Sequence, residues 1–396
     1  MARVQENGSA RETSAQQGWG VPHLRAYTHS QAAAPQVTSN IQHPTSNSQP
    51  RRCRGGETIS MERPRERLNP ETFIRGRLAP SPTGALHLGN ARTFLVAWLL
   101  ARRRGGRVVL RMEDLDHPKV KPGTAQAALD DLRWLGLDWD EGPDVGGPHA
   151  PYVQTARRPL YRQALLRLQE QGLVYPCVCT RRDVEAGQSA PQSGDDGLAY
   201  DGACRGRFDS YAAAAATLPP GRLPAWRFRV PDGVETVFDD GFHGPQRERV
   251  GATVGDFVIA RDPDGAGYML AVVADDAAMA ITEVVRGDDL LAATHRQFLL
   301  YHALGLTPPR FIHVPLVVSA EGRRLAKRHG DTRLAAIRAA GVRPETVVGV
   351  LAWWCGWAAW GDELRPADLL DRAELGSIPR EPAVLTEPVK ARLGVS

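Results

Sequence analysis

The chain carries a segment, Arg77–Asn90, whose residue types and spacing suit the binding of phosphate groups. Its sequence predicts the end of a strand, a loop rich in Pro and Gly, and a helix that begins with His87 and Asn90 one turn apart. A helix N-terminus presents free backbone N–H groups and a partial positive charge, so it attracts phosphate. A neutral imidazole there can donate a hydrogen bond to a phosphate whose charge grows in the transition state. The alternative interpretation is a helix cap with a buried histidine.

Three cysteines have the spacing of metal ligands. Cys177 and Cys179 form a Cys-x-Cys pair, and Cys204 follows in the same part of the chain. Three thiolates and one further ligand make a closed tetrahedral site of the structural zinc type. The total of five cysteines, with Cys53 and Cys355, is odd, and no secretory signal pattern precedes them. This usage favours a reducing compartment and a metal site over disulfides, and cysteines that only pack in the interior are the alternative.

Alternating strands and helices must position these residues. We predict strands at Phe73–Ala79 and Val108–Met112, and helices at Asn90–Arg104 and Thr124–Leu135. A strand, a helix and a second strand in this order form a right-handed crossover with a parallel pair. The pattern therefore predicts an α/β fold with a doubly wound parallel nucleotide-binding sheet.

The middle of the chain predicts a small insertion and then a return to the sheet. A helix at Ala156–Gln171 leads to the Cys-x-Cys pair, and short strands at Trp226–Val230 and Thr236–Asp239 belong to the insertion. Alternating apolar residues predict further strands at Asp256–Arg261 and Tyr268–Val273.

These shifts in pattern set the predicted domain boundaries. The predicted segments are a disordered tail at 1–70, the first half of the nucleotide-binding catalytic domain at 71–175, a zinc-bearing insertion at 176–250, the second half of the catalytic domain at 251–330 and a short helical C-terminal region at 331–396. The tail is rich in Gln, Ser, Pro, Asn and Ala and lacks a sustained apolar period. Its Arg and Ser content is also typical of a mitochondrial targeting segment, and a start of translation at Met61 is a further alternative.

The formal net charge of +4 lies entirely in that tail, because residues 1–70 hold nine Arg and five acidic residues. The rest of the chain is balanced, so a nucleic-acid partner must be met by local basic patches. With 42% apolar residues the chain can bury a sizeable core. Its most apolar segment, Val347–Trp360, is too short to span a bilayer and predicts a buried helix. The sequence therefore predicts a cytoplasmic protein without a membrane partner.

Beyond these patterns, the chain resembles the class I aminoacyl-tRNA synthetases in their glutamate form, over about residues 73–335. The resemblance rests on motifs that occur in the family's order. They are the first signature Arg77–Asn90, then Arg111–Asp116, Leu132–Asp138, Ala271–Ala277 and Val285–Leu290, and the counterpart of the mobile Lys loop, Gly322–His329. The resemblance implies the family's Rossmann-like catalytic sheet with a small zinc-bearing insertion.

The resemblance also implies roles for individual residues. The implied catalytic residues are His87, Asn90 and Lys327. The same three residues and Arg324 bind ATP. The glutamate site consists of Arg77, Leu78, Ala79, Pro80, Ser81, Glu113, Tyr268 and Arg286. The zinc ligands are Cys177, Cys179, Tyr200 and Cys204. The implied cofactors are ATP, Mg²⁺ and one structural Zn²⁺.

Three residues depart from the family's pattern. The second histidine of the first signature is Asn90, the first lysine of the mobile loop is Arg324, and a serine often found in that loop is Ala326. Asn still donates to phosphate, and Arg keeps the charge with a different geometry. Lys327 remains as the point charge expected to hold the departing pyrophosphate. We therefore expect adenylation to be slower but not abolished.

Charge accounts for the implied choice of glutamate, whose site must pair two carboxylates and one ammonium group. Arg77, with Ser81 nearby, is the candidate for the side-chain carboxylate, and Glu113 is the candidate for the ammonium. Tyr268 and Arg286 complete the pocket. An Arg fork favours Glu over Gln, because the amide nitrogen of Gln is a donor that cannot pair with a guanidinium. For each residue taken alone, a surface ion pair is the alternative.

We expect the C-terminal region to be too short for the large helical anticodon-binding region of a complete glutamyl-tRNA synthetase. With the Tyr-x₃-Cys pattern, this implies a truncated paralogue that forms glutamyl-adenylate and transfers glutamate to the queuosine base at the wobble position of tRNA(Asp). The implied partners of this monomer are L-glutamate, ATP and the queuosine-bearing anticodon stem-loop. Two alternatives stay open, a truncated glutamyl-tRNA synthetase that charges the tRNA 3′ end and a non-catalytic RNA- or zinc-binding relic.

Overall fold

The computed structural model describes residues 58–60, 73–115, 120–186, 199–265, 267–325 and 332–395. Lys327, which the sequence assigns to catalysis, lies outside the described residues. The same holds for Asp116 of the second motif, and for Ala326 and His329 of the mobile loop.

Strands and helices alternate along the first and last parts of the described chain, with a run of short strands between them. The strands are β1 (Thr58–Ser60), β2 (Arg75–Leu78), β3 (Arg107–Leu110), β4 (Val174–Cys177), β5 (Ala225–Phe228), β6 (Glu235–Asp240), β7 (Gly244–Glu248), β8 (Phe257–Ala260), β9 (Glu283–Gly287), β10 (Arg310–Val314), β11 (Val317–Ser319) and β12 (Ala383–Leu385). The helices are α1 (Leu88–Arg102), α2 (Thr124–Trp134), α3 (Arg158–Glu170), α4 (Arg181–Ala186), α5 (Tyr211–Ala215), α6 (Val250–Thr253), α7 (Tyr268–Ala278), α8 (Leu291–Ala303), α9 (Leu334–Ala339), α10 (Pro344–Trp353) and α11 (Glu387–Leu393).

Two parallel strand pairs form the centre of the fold. β2 pairs with β3, with Arg75 opposite Arg107, and β9 pairs with β10, with Glu283 opposite Arg310. Thr282, just before β9, donates its backbone N–H to the carbonyl oxygen of Arg75 at 2.9 Å, so the two pairs lie side by side. The predicted succession of strand, helix and parallel strand is confirmed at β2, α1 and β3.

Helix α1 packs its apolar side against this sheet. Leu95, Trp98 and Leu99 are buried, at the helical spacing that the sequence predicts. Gly76 of β2 allows the close approach of strand and helix, since a Cβ at this position would lie 3.2 Å from the Cβ of Ala101. Burying each large apolar side chain stabilises the folded state by about 1.5–3 kcal/mol.

The C-terminal region also packs against α1. Arg92 of α1 is buried and donates to the carbonyl oxygen of Trp354, just after α10, at 3.5 Å. The predicted buried helix is present as α10, where Val347 and Leu351 are fully buried. This region also contains β12, which pairs in parallel with β11 and alternates buried and exposed residues as a strand does. In the part of the chain that the structure describes, no helix is long and apolar enough to cross a bilayer.

The predicted insertion forms two small sheets. β5 pairs antiparallel with β4 and β8, and β6 pairs antiparallel with β7. The strand predicted at Asp256–Arg261 therefore lies, as β8, in a sheet of the insertion. β1 adds in parallel to β6, with Thr58 opposite Glu235. The prediction of a disordered tail is wrong for these three residues, because Thr and Ile favour strands and β6 offers a pairing edge.

The strand predicted at Tyr268–Val273 is wrong, because these residues begin helix α7. Leu270, Ala271 and Val272 are all buried, as are the two residues that follow. An apolar run that is buried on every side shows no polar face, so it fits a buried strand and a buried helix equally well. The packing of the surrounding residues, which the sequence pattern does not show, determines that this run forms a helix.

Candidate active site

A cavity of about 840 Å³ opens where β2 and β9 end and α1 begins. Predicted residues from separate parts of the chain line it: Arg77, Ala79, Pro80, Ser81, His87, Asn90, Glu113, Tyr268, Arg286 and Arg324. Parallel strands place the residues at their carboxyl ends along one edge of the sheet, which explains this convergence. Leu78, which the sequence also assigns to the glutamate site, is fully buried in the core and is not among the residues that line the cavity. Successive residues of a strand point to opposite faces, and Arg77 occupies the cavity face.

His87 is the N-cap of α1. Its Nδ1 accepts the backbone N–H of Gly89 at 3.1 Å and that of Asn90 at 3.4 Å, while Asn90 Oδ1 accepts the N–H of His87 at 3.2 Å. This reciprocal pattern is a capping box. The cap that the sequence left as an alternative is therefore present. Because Nδ1 accepts, the neutral ring carries its proton on Nε2, which makes Nε2 the donor of this imidazole.

Arg77 belongs to a buried ionic network. Its Nη1 donates to the carbonyl oxygen of Val285 at 3.2 Å, and its Nε lies 3.6 Å from the carboxylate of Asp276. Arg111 donates to Asp276 at 2.7 Å and to Glu113 at 2.8 Å. Burial alone would lower the pKa of Arg111, but these two carboxylates raise it above its usual value. The network holds the carboxyl group of Glu113 in place at the cavity wall.

Arg286 is held by three polar side chains. Its Nε donates to His313 Nε2 at 2.9 Å, and its Nη2 donates to Thr294 Oγ1 at 2.7 Å and to Gln297 Oε1 at 2.8 Å. The guanidinium lies 5.0 Å from the ring centre of Phe311. Burial lowers the pKa of Arg286, yet a guanidinium stays charged near neutral pH. Its Nη1 is buried and has no hydrogen-bond partner among the described residues, so this atom is the donor that remains for a ligand.

His313 is held in turn by Asp240 at the end of β6. His313 Nδ1 lies 2.6 Å from Asp240 Oδ2, and Asp240 Oδ1 accepts the backbone N–H groups of Phe242 at 3.0 Å and His243 at 2.9 Å. Burial lowers the pKa of His313 to about 4, so the ring is neutral. Since its Nε2 accepts from Arg286, its proton is on Nδ1 and is donated to Asp240.

The outer wall of the cavity is more exposed. Tyr268, the first residue of α7, is 41% exposed. Arg324 forms an ion pair with Asp289, a residue that the sequence did not single out. The other side chains that support the cavity and were missed are Asp276, Thr294, Gln297, His313 and Asp240. Of these, only Asp276 carried a signal, as one of two adjacent acidic residues in an apolar run.

The four predicted metal ligands converge in the insertion. The Sγ atoms of Cys177, Cys179 and Cys204 lie within 4.8 Å of one another, and that of Cys179 is 3.5 Å from that of Cys204. The hydroxyl of Tyr200 lies 3.5 Å from Cys177 Sγ and 3.6 Å from Cys179 Sγ. Sulfurs about 2.3 Å from a tetrahedral zinc are roughly 3.8 Å apart, so this cluster could hold such an ion.

Arg227 lies beside this cluster, and the sequence did not point to it. Its Nε donates to Cys177 Sγ at 3.1 Å, its Nη1 donates to the carbonyl oxygen of Asp256 at 2.7 Å, and its Cζ lies 3.7 Å from the ring centre of Tyr200. A cation held against thiolate and phenolate ligands would offset part of the negative charge that they bring to a zinc ion.

Comparison with known proteins agrees with this geometry. The family described as tRNA synthetases class I (E and Q), catalytic domain, matches residues 73–364. Over 311 residues the chain is 54% identical to the Glutamyl-Q tRNA(Asp) synthetase of Symbiobacterium thermophilum, and the match covers 78% of this chain and 95% of that relative.

A relative named Glutamate–tRNA ligase is matched over a smaller share of its own length. The chain is 42% identical over 313 residues to the Glutamate–tRNA ligase of Heliobacterium modesticaldum, a match that covers 78% of this chain and 62% of the ligase. Among solved structures, the chain is similar to a glutamate tRNA ligase from Elizabethkingia meningosepticum in complex with its amino acid, with a TM-score of 0.67 and 28% identity. That similarity covers 81% of this chain and 68% of the other.

Proposed function

Because the chain belongs to the class I tRNA synthetases of the glutamate and glutamine type, we propose that it activates L-glutamate with MgATP and transfers the glutamyl group to the queuosine base of tRNA(Asp). In the first step, an α-carboxylate oxygen of glutamate attacks the α-phosphorus of ATP, a new P–O bond forms and pyrophosphate leaves. In the second step, a hydroxyl of the cyclopentene ring of queuosine attacks the carbonyl carbon of the anhydride. AMP leaves, and the hydroxyl gives up its proton.

One observation carries the choice of an acidic amino acid as substrate. Arg286 Nη1 is buried and lacks a hydrogen-bond partner among the described residues, and Arg77, whose buried Nε has only the 3.6 Å ion pair with Asp276, lines the same cavity. Unpaired buried donors are costly, so the arrangement favours a ligand that brings acceptors to them. Glu113 on the same wall suits an ammonium group. A ligand with two carboxylates and one ammonium satisfies these three residues together.

The start of α1 suits the phosphates. His87 as N-cap fixes its own tautomer, and His87 and Asn90 line the same cavity as the two arginines. The cap uses the N–H groups of Gly89 and Asn90, so the donors proposed for phosphate are the side-chain Nε2 of His87 and the amide nitrogen of Asn90. Arg324 and Lys327 would supply the remaining positive charge toward the pyrophosphate. In this arrangement the chain contributes orientation and charge stabilisation, and the reaction needs no covalent intermediate with the protein.

The choice of acceptor is supported by the extent of the matches. The chain matches 95% of a relative named Glutamyl-Q tRNA(Asp) synthetase at 54% identity, against 62% of a relative named Glutamate–tRNA ligase at 42% identity. An anticodon loop is single-stranded, so its wobble base can be splayed out of the stack to reach a cleft. The cavity of about 840 Å³ has room for groups beyond the adenylate.

The test is incubation of the protein with labelled glutamate, ATP and tRNA(Asp), either carrying queuosine or lacking it. We expect label on the queuosine-bearing tRNA alone, and nuclease digestion should place the label in the anticodon loop. Label at the 3′ terminal nucleotide, independent of queuosine, would instead identify the chain as a charging enzyme. Absence of labelled adenylate and of labelled tRNA in all reactions would indicate a non-catalytic protein.

We further infer that Cys177, Cys179, Tyr200 and Cys204 hold one structural zinc ion. The fit of their ligand atoms to a tetrahedral ion supports this assignment. Burial raises the pKa of the Cys179 thiol, so this thiol stays protonated until a cation displaces its proton. The ion would connect the end of β4 to the loop that holds Tyr200 and Cys204.

A further inference from the structure

We propose that Asp240 and His313 are positioning residues for glutamate binding, acting through Arg286. The inference rests on the proposed function, in which Arg286 contacts glutamate. The chain of contacts is continuous, with 2.6 Å from Asp240 Oδ2 to His313 Nδ1 and 2.9 Å from Arg286 Nε to His313 Nε2. Asp240, His313 and Arg286 are each at most 4% exposed, so water does not compete for these hydrogen bonds.

The geometry requires one particular tautomer of His313. Arg286 Nε always carries a proton and can only donate, so His313 Nε2 must present its lone pair. The imidazole proton is then on Nδ1, where the Asp240 carboxylate accepts it. Asp240 thus selects the tautomer of His313 that carries its proton on Nδ1. In this tautomer His313 Nε2 accepts from Arg286 Nε, which fixes the plane of the Arg286 guanidinium. Thr294 and Gln297 hold Nη2 of the guanidinium, so Nη1 is its one nitrogen without a hydrogen-bond partner among the described residues.

This arrangement couples the insertion to the catalytic sheet. Asp240 is the last residue of β6, which pairs with β7 in the insertion, whereas His313 lies in β10 of the parallel sheet. Asp240 also accepts the backbone N–H of His313 at 3.2 Å. The position of Arg286 therefore depends on how the end of β6 is seated against β10. The predicted insertion thus contributes to the amino-acid site as well as holding the cysteine cluster.

The first test uses Asp240→Asn, which preserves the shape of the side chain. Oδ1 of Asp240 accepts two backbone N–H groups, from Phe242 and His243, so the oxygen of an asparagine must stay at that position. Its NH₂ group then replaces Oδ2 and donates to His313 Nδ1, which moves the ring proton to Nε2. Nε2–H and the Nε–H of Arg286 would face each other as two donors. We expect the KM for glutamate in pyrophosphate exchange to rise about tenfold, with kcat and the KM for ATP within twofold of the parent values.

The second test replaces the acceptor itself. His313→Leu removes it, and we expect a rise in the glutamate KM of about tenfold or more. His313→Gln offers an amide oxygen near the place of Nε2, so its glutamate KM should lie closer to that of the parent. A merely structural histidine would show no such rescue.

A matched control is available in His295→Leu. His295 is also buried and also contacts β6, through Thr236 Oγ1 at 2.8 Å, but it forms no hydrogen bond or ion pair with Arg286. We expect it to lower thermal stability without changing the glutamate KM. The inference is overturned if folded Asp240→Asn and His313→Leu proteins keep the parent glutamate KM, or if His295→Leu raises it as much as they do.

Arg286→Ala separates failure of this inference from failure of the proposed function. If Arg286→Ala raises the glutamate KM while the Asp240 and His313 variants do not, the glutamate site stands and the positioning role is wrong. If Arg286→Ala itself leaves the glutamate KM unchanged, the assignment of Arg286 to the glutamate site is wrong, and the positioning role falls with it.

Discussion

Arg77 and Arg286 present donors to one cavity, but they are held in different ways. Arg286 is fixed by three neutral side chains, whereas Arg77 lies between a backbone carbonyl and the carboxylate of Asp276. Neutral partners leave the charge of Arg286 uncompensated at close range. Asp276 is also engaged by Arg111, so it only partly offsets the charge of Arg77. Both guanidinium groups therefore keep positive charge for a ligand carboxylate.

At the residue scale, Arg77→Ala should cut glutamate activation by about 30-fold or more. A charge-assisted pair with the ligand carboxylate is worth roughly 2–4 kcal/mol when buried, and each 1.4 kcal/mol is a factor of ten in rate. The KM for ATP should change little, because the proposed phosphate site is at the start of α1. The measurement is pyrophosphate exchange at varied glutamate and ATP. Arg77→Lys keeps the charge without the fork and serves as the control with an intermediate defect. A variant that loses only ATP binding would contradict the assignment.

Lys327→Ala should lower the rate of adenylation and leave glutamate binding nearly unchanged, in contrast to Arg77→Ala. An ammonium group that holds the departing pyrophosphate acts in the transition state, so its loss lowers kcat and leaves the glutamate KM nearly unchanged. Single-turnover formation of adenylate, measured at saturating glutamate, checks this expectation. Arg324→Ala is a useful comparison, because Arg324 pairs with Asp289 at the cavity rim and is 64% exposed. An equal rise in glutamate KM for Lys327→Ala would exclude the pyrophosphate role.

The residues that the sequence could assign are those that occur together in short motifs. Arg77, His87 and Asn90 lie within one such motif, so the order of residues alone indicates the chemistry of the loop and the helix start. Asp240 and His313 give no such indication, because they come from different strands and each alone resembles an ordinary polar residue. Their roles depend on hydrogen-bond partners far away in the chain, which no local pattern encodes.

At the element scale, the cysteine cluster should decide the stability of the insertion. Purified protein should contain about one zinc per chain, and Cys204→Ser should lose most of it together with several degrees of Tm. Tyr200→Phe keeps the three thiolates, so we expect it to retain zinc but to release it faster to a chelator. Metal analysis and thermal denaturation provide the measurements. Cys355→Ser is the matched control, since Cys355 is buried away from the cluster. Protein without zinc, and a Cys204→Ser variant of unchanged Tm, would refute the metal site.

The contact of α2 with α9 should be sensitive to pH. Asp131 of α2 is buried, its carboxylate oxygens have no hydrogen-bond partner among the described residues, and Arg338 of α9 lies 3.6 Å away. Burial raises the pKa of Asp131 to about 6, although Arg338 acts to lower it. The unfolded chain titrates near 3.9, so the folded state holds this proton more tightly. The resulting contribution to stability is present below about pH 4 and is lost as the pH rises through 6.

Asp131→Asn should therefore raise the free energy of unfolding at pH 8 by about 1–2 kcal/mol, and the gain should shrink toward pH 5. Urea denaturation at the two pH values measures it. Asp130→Asn, at an exposed neighbour whose like charge contributes least to the raised pKa of Asp131, should show a much smaller effect. If Asp131→Asn were destabilised equally at both pH values, a packing role would replace the electrostatic one.

Helix α2, which has a polar face, lies within one residue of its predicted bounds. Helix α1 also lies close to its predicted bounds, although none of its residues is exposed. The start of α7 was predicted as a strand from its apolar pattern, which is compatible with either conformation when the run is buried throughout. β12 was missed for another reason, since three residues gain a strand conformation only by pairing with β11. Pairing partners and burial on all sides are properties of the assembled fold, and a single sequence does not display them.

At the scale of the whole molecule, the side chains proposed to bind glutamate are already held in place in the chain alone. In the chain alone, Arg286 already has partners for its Nε and Nη2, and Glu113 is fixed by Arg111. His87 is likewise oriented by the backbone of α1. Groups that are held in place before binding cost no ordering at the moment of reaction. No described part of the cavity therefore waits for a tRNA to complete it.

This preorganisation predicts that glutamyl-adenylate forms in the absence of tRNA. Glutamate-dependent exchange of labelled pyrophosphate into ATP should appear with protein, glutamate and MgATP alone, and addition of tRNA(Asp) should not raise its rate by more than about twofold. Nuclease-treated protein is the necessary control, because residual tRNA could support exchange. Glutamine in place of glutamate should give at least about 30-fold less exchange, since its amide nitrogen would face a guanidinium donor. A strict requirement for tRNA would show that RNA binding rearranges the site, in which case the contacts of Arg77 and Arg286 in the free chain would not be those of the reacting complex.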